Sequence, residues 1–382
     1  MDRPSKPYLR GKRIAPPPIT GSETVADLID SAFLAYNAGR LREACQLFTG
    51  RMLEPNVTVA MSLTGAMTPA GLGMSTLIPL MKAGFVDWII STGANLYHDA
   101  HFALGLAMHQ GTPHADDVKL RENGVVRIYD IFFDYNVLLS TDGFIRDVSA
   151  REEFQKSMST AEYHYLLGGY MLEREKGVGA RHHSVLAAAH EFEVPIYTSS
   201  PGDSSIGMNV AYHALINGSG LKIDPNRDVN EVCAIVLAGT QNGCVILGGG
   251  SPKNFYLQAQ PTLWEVYSIP KGGNDYFIQF TTDQVVWGGL SGATPAEAVS
   301  WGKVNPGVLP DTAVCYADST IAFPLFAEYA VGSRWNRRQR RNLVHRRDDL
   351  LAALKERAEA ARAAPHPVDP DPETMPDLER HR

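Results

Sequence analysis

Gly243-Cys244-Val245-Ile246-Leu247 runs directly into Gly248-Gly249-Gly250. A short apolar run with β-branched residues, closed by glycine, has the length and composition of a strand buried on both faces. The same signature recurs at Val57–Met61, Val86–Ser91, Val194–Thr198, Val232–Ala238, Tyr276–Thr282 and Thr312–Tyr316, with longer helical patterns between the runs. Strands alternating with helices predict one α/β domain whose mainly parallel sheet is covered by helices on both faces. Before the first strand, Val25, Leu28, Ile29, Ala32 and Phe33 recur at helical spacing within Thr24–Met52, which predicts an N-terminal helical segment packed on that core.

Composition narrows the function classes. The chain has 382 residues, 44% hydrophobic and 20% charged, enough to bury a large core. A formal charge of -7 and a pI near 5.9 argue against a general nucleic-acid binder and suit an enzyme that handles small cations. No apolar run reaches the roughly 18 residues that span a bilayer, and the N-terminus lacks a signal-peptide pattern, so a cytoplasmic protein is expected. Cys45, Cys233, Cys244 and Cys315 show no Cys-x-x-Cys pairing and are expected to be buried free thiols.

The chemistry-bearing stretch is Gly292-Ala293-Thr294-Pro295-Ala296-Glu297-Ala298-Val299-Ser300-Trp301-Gly302-Lys303. A lysine beside an indole and a carboxylate, in a dry pocket, loses hydration; its pKa falls and the neutral, imine-forming amine becomes populated. A structural reading competes. Thr294, Pro295 and Glu297 form a capping box with proline at the first helical position, so Glu297 could serve only to start a helix, and Lys303 could be solvated.

Glu297-Ala298-Val299-Ser300-Trp301-Gly302-Lys303, with Tyr316-Ala317-Asp318 and Phe323-Pro324-Leu325, resembles the catalytic region of the deoxyhypusine synthase family. Glu122-Asn123-Gly124-Val125-Val126-Arg127-Ile128, Val194-Pro195-Ile196-Tyr197 leading to Asp203, and Ile246–Gly250 followed by Lys253 fit in the same order, from about residue 25 to about residue 331. The resemblance implies a Rossmann-like sheet, NAD as cofactor, a polyamine donor and an acceptor amine, Lys303 as the imine-forming residue, and a homotetramer with active sites shared between subunits. It places substrate contacts at Glu297, Trp301, Asn254, His98, Met208 and Leu290. Cofactor contacts fall at Thr64, Gly65, Ala66, Thr68, Pro69, Thr92, Gly93, Ala94, Asp203, Gly249, Thr282, Asp283, Ser291, Asp318 and Ser319. No G-x-G-x-x-G fingerprint is present, so NAD rests on the resemblance; small residues such as Gly65, Gly93 and Gly249 would let backbone N–H groups approach a phosphate or ribose.

Departures from the family pattern redirect the substrate. Asn254 stands where the family has a histidine base, and asparagine cannot take a proton near neutral pH. Met208, Trp287 and Leu290 replace acids, and His98 aligns with another. A less anionic pocket favours a small amine, as in homospermidine synthesis, over the translation-factor lysine of true deoxyhypusine synthesis. Two other classes compete: a protein that binds NAD or polyamine without catalysis, and a metal-dependent hydrolase using His98 and His101 at i, i+3.

The chain divides into a basic, proline-rich N-terminus over 1–20, expected to be mobile, a catalytic domain over 21–333, and a tail over 334–382. In that tail Arg334, Arg337, Arg338, Arg340, Arg341, Arg346 and Arg347 precede a helical Asp348–Ala364 and a Pro/Asp/Glu-rich end. A solvated helix with a disordered tail is the expected state, with RNA contact or an intersubunit salt-bridge patch as the alternatives.

Overall fold

The computed structural model describes residues 9, 11–333 and 339–362. The expectations for residues 1–8, for Arg334, Arg337 and Arg338 and for the acidic end beyond Arg362 lie outside the described residues; residues 11–20 are exposed irregular chain. Six parallel strands form the central sheet: β1 (Val57–Leu63), β2 (Trp88–Ser91), β3 (Ile196–Thr198), β4 (Gln241–Leu247), β5 (Tyr276–Phe280) and β6 (Thr312–Cys315). β1, β2, β3 and β5 are buried throughout, which is why they read as continuous apolar runs rather than alternating ones.

The spatial order is β6-β5-β4-β1-β2-β3. The chain builds outward from β1 to β3, then returns to lay β4 against the free side of β1, pairing Val59 with Gly243 and Leu63 with Leu247. Connections therefore leave β1 and β4 in opposite directions and open a crevice beyond their C-terminal ends, where open α/β sheets take ligands.

One expected strand is a helix. Val232–Ala238 closes helix α8 (Pro225–Ala238), which starts from the Asp224 side chain accepting Asn226 N–H, with Pro225 in the first turn. Its Val232, Cys233, Ala234, Ile235 and Val236 are all buried, and a helix covered on nearly every side has the same apolar run as a buried strand. The N-terminal segment is two helices, α1 (Val25–Ala32) and α2 (Tyr36–Leu47), divided where Tyr36 takes a φ of 54°. A three-stranded antiparallel sheet over residues 109–110, 125–128 and 131–134 had not been expected; its strands are too short to stand out by periodicity. All four cysteines are buried and unpaired, and among the described residues no helix is long and apolar enough to cross a membrane.

On the β1-to-β3 side lie α3 (Gly93–Ala103), α4 (Tyr135–Ser149), α5 (Thr160–Gly177), α6 (Val185–Phe192) and α7 (Ser205–Ile216). Buried Asp99 on α3 accepts from Ser184 Oγ at 2.6 Å, Val185 N at 2.7 Å and Leu186 N at 2.9 Å, satisfying otherwise orphan N–H donors in the first turn of α6.

The basic tail folds back as a strap. Arg341 Nη2 donates to the carbonyls of Pro55 at 2.6 Å and Val57 at 2.8 Å, and its Nε lies 3.4 Å from Asp87. Arg340 stacks 4.8 Å over Phe192, His345 meets Glu193 at 2.8 Å, and Arg347 reaches Glu162 at 3.1 Å. The chain then enters α12 (Arg347–Arg362), whose buried Leu350 and Leu354 join the α8 side of the core. The helix keeps most of its residues exposed but docks Leu350 and Leu354, and the strap before it crosses the N-terminal ends of β1, β2 and β3, opposite the crevice, with several of its arginines paired within the chain.

Candidate functional site

Every segment expected to touch a cofactor leaves a C-terminal strand end. Thr64–Pro69 follows β1, Thr92–Ala94 follows β2, Asp203 follows β3, Gly249 follows β4, Thr282 and Asp283 follow β5, and Asp318 and Ser319 follow β6. At the β1/β4 crevice, Thr64 Oγ1 donates to the Gly249 carbonyl, and Thr92 Oγ1 donates to the Gly65 carbonyl at 2.7 Å. Gly249 has no room for a side chain, because a Cβ there would lie 2.4 Å from Ser291 Cα; Ser291 Oγ in turn accepts Gly250 N–H at 3.0 Å. Gly93 is similarly closed by Ser204. Thr68 and Pro69 are buried, and Thr68 bonds Asn95 through its hydroxyl at 2.6 Å, so these two hold the loop rather than line the crevice. Ser319 Oγ donates to the Phe280 carbonyl at 3.3 Å, and Asp318 caps α11 (Ser319–Ser333) through Thr320 N–H.

Lys303 sits just past helix α10 (Pro295–Ser300), where Gly302 takes a φ of 64° and turns the chain back. Only a residue without Cβ adopts that conformation at little cost. Lys303 N–H is held by the Ala298 carbonyl at 3.0 Å, and its own carbonyl accepts from buried Asn274, through the backbone at 3.0 Å and the side chain at 3.2 Å. Tyr256 hydroxyl anchors Asn274 in turn. With its backbone fixed this way, Lys303 Nζ donates to Asn254 Oδ1 at 3.1 Å and lies 5.5 Å from the Trp301 ring. Desolvation lowers the Lys303 pKa, against the opposing fields of Glu265 and Glu297. Thr294 Oγ1 caps α10 by accepting Glu297 N–H at 3.1 Å, yet among the described residues Glu297 does not return the bond as Asp27 does in α1; its carboxylate stays exposed.

Lys253, noticed in the sequence only as part of a motif, is a structural centre of this region. It is buried on α9 (Gly250–Leu257), and its Nζ donates to the Ala293 carbonyl at 2.7 Å and to Gln279 Oε1 at 3.0 Å. Gln279 spends its amide on the carbonyls of Gly248 and Ser291, both at 2.7 Å. One lysine and one glutamine thus tie the β4 turn to the loop that carries α10. Burial lowers the Lys253 pKa to about 8, partly offset by Glu297, with Lys303 adding to the lowering. A lone glutamine inside the apolar run Tyr276-Phe277-Ile278-Gln279-Phe280 was the available signal for this brace.

Other expected residues are not gathered at Lys303 within one chain. His98 Nδ1 faces His101 Nε2 at 3.1 Å, and His101 Nδ1 pairs with Thr141 at 2.7 Å. Burial lowers the pKa of His98 to about 4 and of His101 to about 3, so both rings are neutral. Ring nitrogens turned on each other do not converge on a common metal, and among the described residues no group of three or more His, Cys, Asp or Glu is placed to hold one. Met208 projects from α7, and Leu290 and Trp287 from the loop before α10, all exposed. The pocket is correspondingly open rather than dry: Trp301 is 62% exposed and Val286 88%.

The deoxyhypusine synthase family profile matches residues 28–330. A deoxyhypusine synthase-like protein of Nostoc punctiforme is 55% identical over 359 residues, covering 93% of this chain and 92% of its own. A match of that extent runs past residue 330 and takes in the strap. Probable deoxyhypusine synthase 2 of Methanosarcina acetivorans is 39% identical over 307 residues, covering 80% and 86%. Among solved structures, a candidate deoxyhypusine synthase of Entamoeba histolytica superposes with a TM-score of 0.55 at 14% identity, over 83% of this chain and 96% of that one, a likeness of fold. With its profile matched across most of its length, and relatives of high identity along nearly all of it, the chain belongs to the deoxyhypusine synthase family of transferases.

Proposed function

We propose that the protein is an NAD-dependent transferase that moves a 4-aminobutyl group from a polyamine, through an imine on Lys303, to a small acceptor amine. The observation that carries this reading is Lys303 Nζ, partly desolvated and held between Asn254 Oδ1 at 3.1 Å and the Trp301 ring at 5.5 Å. The crevice residues fit a dinucleotide: the strand order switches between β1 and β4, Gly249 lets the Ser291 loop close against the β4 turn where a Cβ would clash, and Asp203 and Asp318 are exposed at strand ends to accept ribose hydroxyls. When bound there, NAD supplies oxidation of the donor amine to an imine and its later reversal.

This chain's own part is nucleophilic. Neutral Lys303 adds its lone pair to the donor imine carbon, and the carbon–nitrogen bond to the rest of the polyamine breaks, releasing that fragment as an amine. The four-carbon unit is left as an imine on Lys303. The acceptor amine adds to the same carbon and expels Lys303 as an amine, leaving the imine on the acceptor; return of the hydride first taken from the donor would reduce it to the product amine, so that there is no net redox change. Glu297 holds the terminal ammonium of the four-carbon unit. Trp301 covers it, a contact worth about 0.5–2 kcal/mol.

The loss of acidic side chains at Met208, Trp287 and Leu290 favours a free amine as acceptor. Exposed Trp301, Trp287 and Val286 beside an incomplete pocket support a site finished by a second subunit within a homotetramer. Incubating the protein with NAD and labelled spermidine or putrescine, with and without a second amine, and weighing the products tests the reading. A new polyamine supports it. Label in a translation-factor lysine instead of a free amine would mean true deoxyhypusine synthesis, and NAD binding with no product would mean a binding protein.

Two substitutions probe the supports. Asn254→Ala removes the acceptor that orients Nζ and should slow trapping of an imine on Lys303 about tenfold, the worth of one hydrogen bond, with NAD affinity unchanged. Gly249→Ala drives a methyl into Ser291 and should weaken NAD binding by at least about tenfold in a fluorescence titration.

A further inference from the structure

A second cavity lies on the opposite end of the sheet, under the strap. It holds about 200 Å³ and is walled by Leu166, Ile235 and Leu350, with Glu162, Tyr165, Tyr197, Glu231 and Arg347 as its polar groups. Glu231 on α8 is 2% exposed; its Oε2 accepts Tyr197 hydroxyl at 3.2 Å, while among the described residues nothing hydrogen-bonds Oε1 directly. Beneath it Asp228, 1% exposed, accepts Thr160 N–H at 2.8 Å through Oδ1 and leaves Oδ2 unpartnered. Arg347 faces the cavity, with its guanidinium on Glu162 at 3.1 Å and Asp348 at 3.2 Å. Lys156 and Arg227 pair with Glu162, while Arg347 and Arg227 act on Glu231 only through their fields, with no direct ion pair to it among the described residues.

Two buried carboxyls with an orphan oxygen each are costly, and such sites are completed by a cation or by protonation. Burial pushes the Glu231 carboxyl up, against nearby Ser159 and the fields of Arg347 and Arg227, and the Asp228 carboxyl up to about 8, against the hydrogen bonds of Thr160. The other lining carboxylate, Glu162, is taken up by Lys156, Arg227 and Arg347, and the remaining wall is mainly aliphatic and aromatic. A metal ion would find few free oxygen donors here, whereas an alkylammonium matches both an orphan carboxylate and an apolar wall.

We propose that this cavity binds a small aliphatic ammonium ion, its nitrogen on Glu231 and its carbon chain against Leu166, Ile235 and Leu350. Leu343, Val344, Arg347 and Leu350 come from the strap, so the ligand bridges the domain and its C-terminal segment and holds them together. This site is independent of Lys303 and does not rest on the transferase reading.

The test is calorimetric titration of the full chain with n-butylammonium chloride at constant chloride, on wild type, on Glu297→Gln, and on Glu231→Gln and Ile235→Phe each built in the Glu297→Gln background so that ammonium binding near Lys303 does not contribute. The proposal expects binding that survives in Glu297→Gln, weakens at least about tenfold in Glu231→Gln, and disappears when Ile235→Phe fills the space. Ile235→Phe keeps both carboxyls, so the two variants check charge and volume separately. No binding to wild type, binding lost in Glu297→Gln, or binding unchanged in both cavity variants would each overturn it.

Discussion

Lys303→Ala protein incubated with NAD and a labelled polyamine will yield no borohydride-stable adduct and no new polyamine, while wild type will carry a four-carbon mass increment on the tryptic peptide containing Lys303. The effect should be total, because a covalent step has no substitute nucleophile: Lys253 is buried and holds two acceptors. The pH dependence adds a second reading. The neutral amine is the nucleophile, so trapping rises as pH climbs through the Lys303 pKa. Because desolvation lowers that pKa, the rise should be centred below that of an ordinary exposed lysine. A profile centred at the exposed-lysine value, or an adduct that persists in Lys303→Ala, would remove the imine mechanism without touching the family assignment.

Arg341→Ala will destabilise the protein by about 1–3 kcal/mol, the cost of leaving acceptor carbonyls without their donor. Arg341 donates to two carbonyls at the start of β1, and its Nε lies 3.4 Å from buried Asp87, which also accepts Val59 N–H at 2.7 Å. Arg341→Lys should recover only part of the loss, since one ammonium does not reproduce the guanidinium fork across a carboxylate and two carbonyls. Urea unfolding of the three proteins measures this. A change under about 0.5 kcal/mol, the size of a surface substitution, would mean that the strap is not docked in solution. Active-site adduct formation in Arg341→Ala below its melting range should match wild type, because the strap lies at the far end of the sheet.

The residues that announced the chemistry are contiguous, which is why they were legible. Glu297, Trp301, Gly302 and Lys303 lie on one short helix and the turn after it, and local rules predict where each side chain goes. The glycine-rich ends of β1 and β4 were legible for the same reason: each is a strand stopped by residues that need backbone freedom. The brace behind them was not. Lys253, Gln279, Ser291 and Ala293 meet only because β4 and β5 are neighbours, and nothing in their spacing states that adjacency.

Misreadings have an equally physical origin. Val232–Ala238 is apolar because α8 is wedged between the sheet and α12, and periodicity vanishes when every face is buried. His98 and His101 have ligand spacing, but their nitrogens are turned on each other and on Thr141. The arginine run looked like a solvated or nucleic-acid-binding tail because charge density is visible in sequence and charge partners are not; Asp87, Glu162 and Glu193 lie far from it along the chain.

From sequence alone came the α/β class, most of the strands, the family and the lysine proposed to form the imine, all of which depend on local pattern: buried parallel strands are apolar without alternation, and a helix cap, an indole and a lysine within ten residues stay together in any fold. The tertiary structure alone decided the order β6-β5-β4-β1-β2-β3 and the crevice it opens, the Asn254 contact to Lys303, the strap across the far edge and the cavity beneath it. Those features join residues tens to hundreds of positions apart, and such pairings follow from how whole layers pack, which no local propensity encodes.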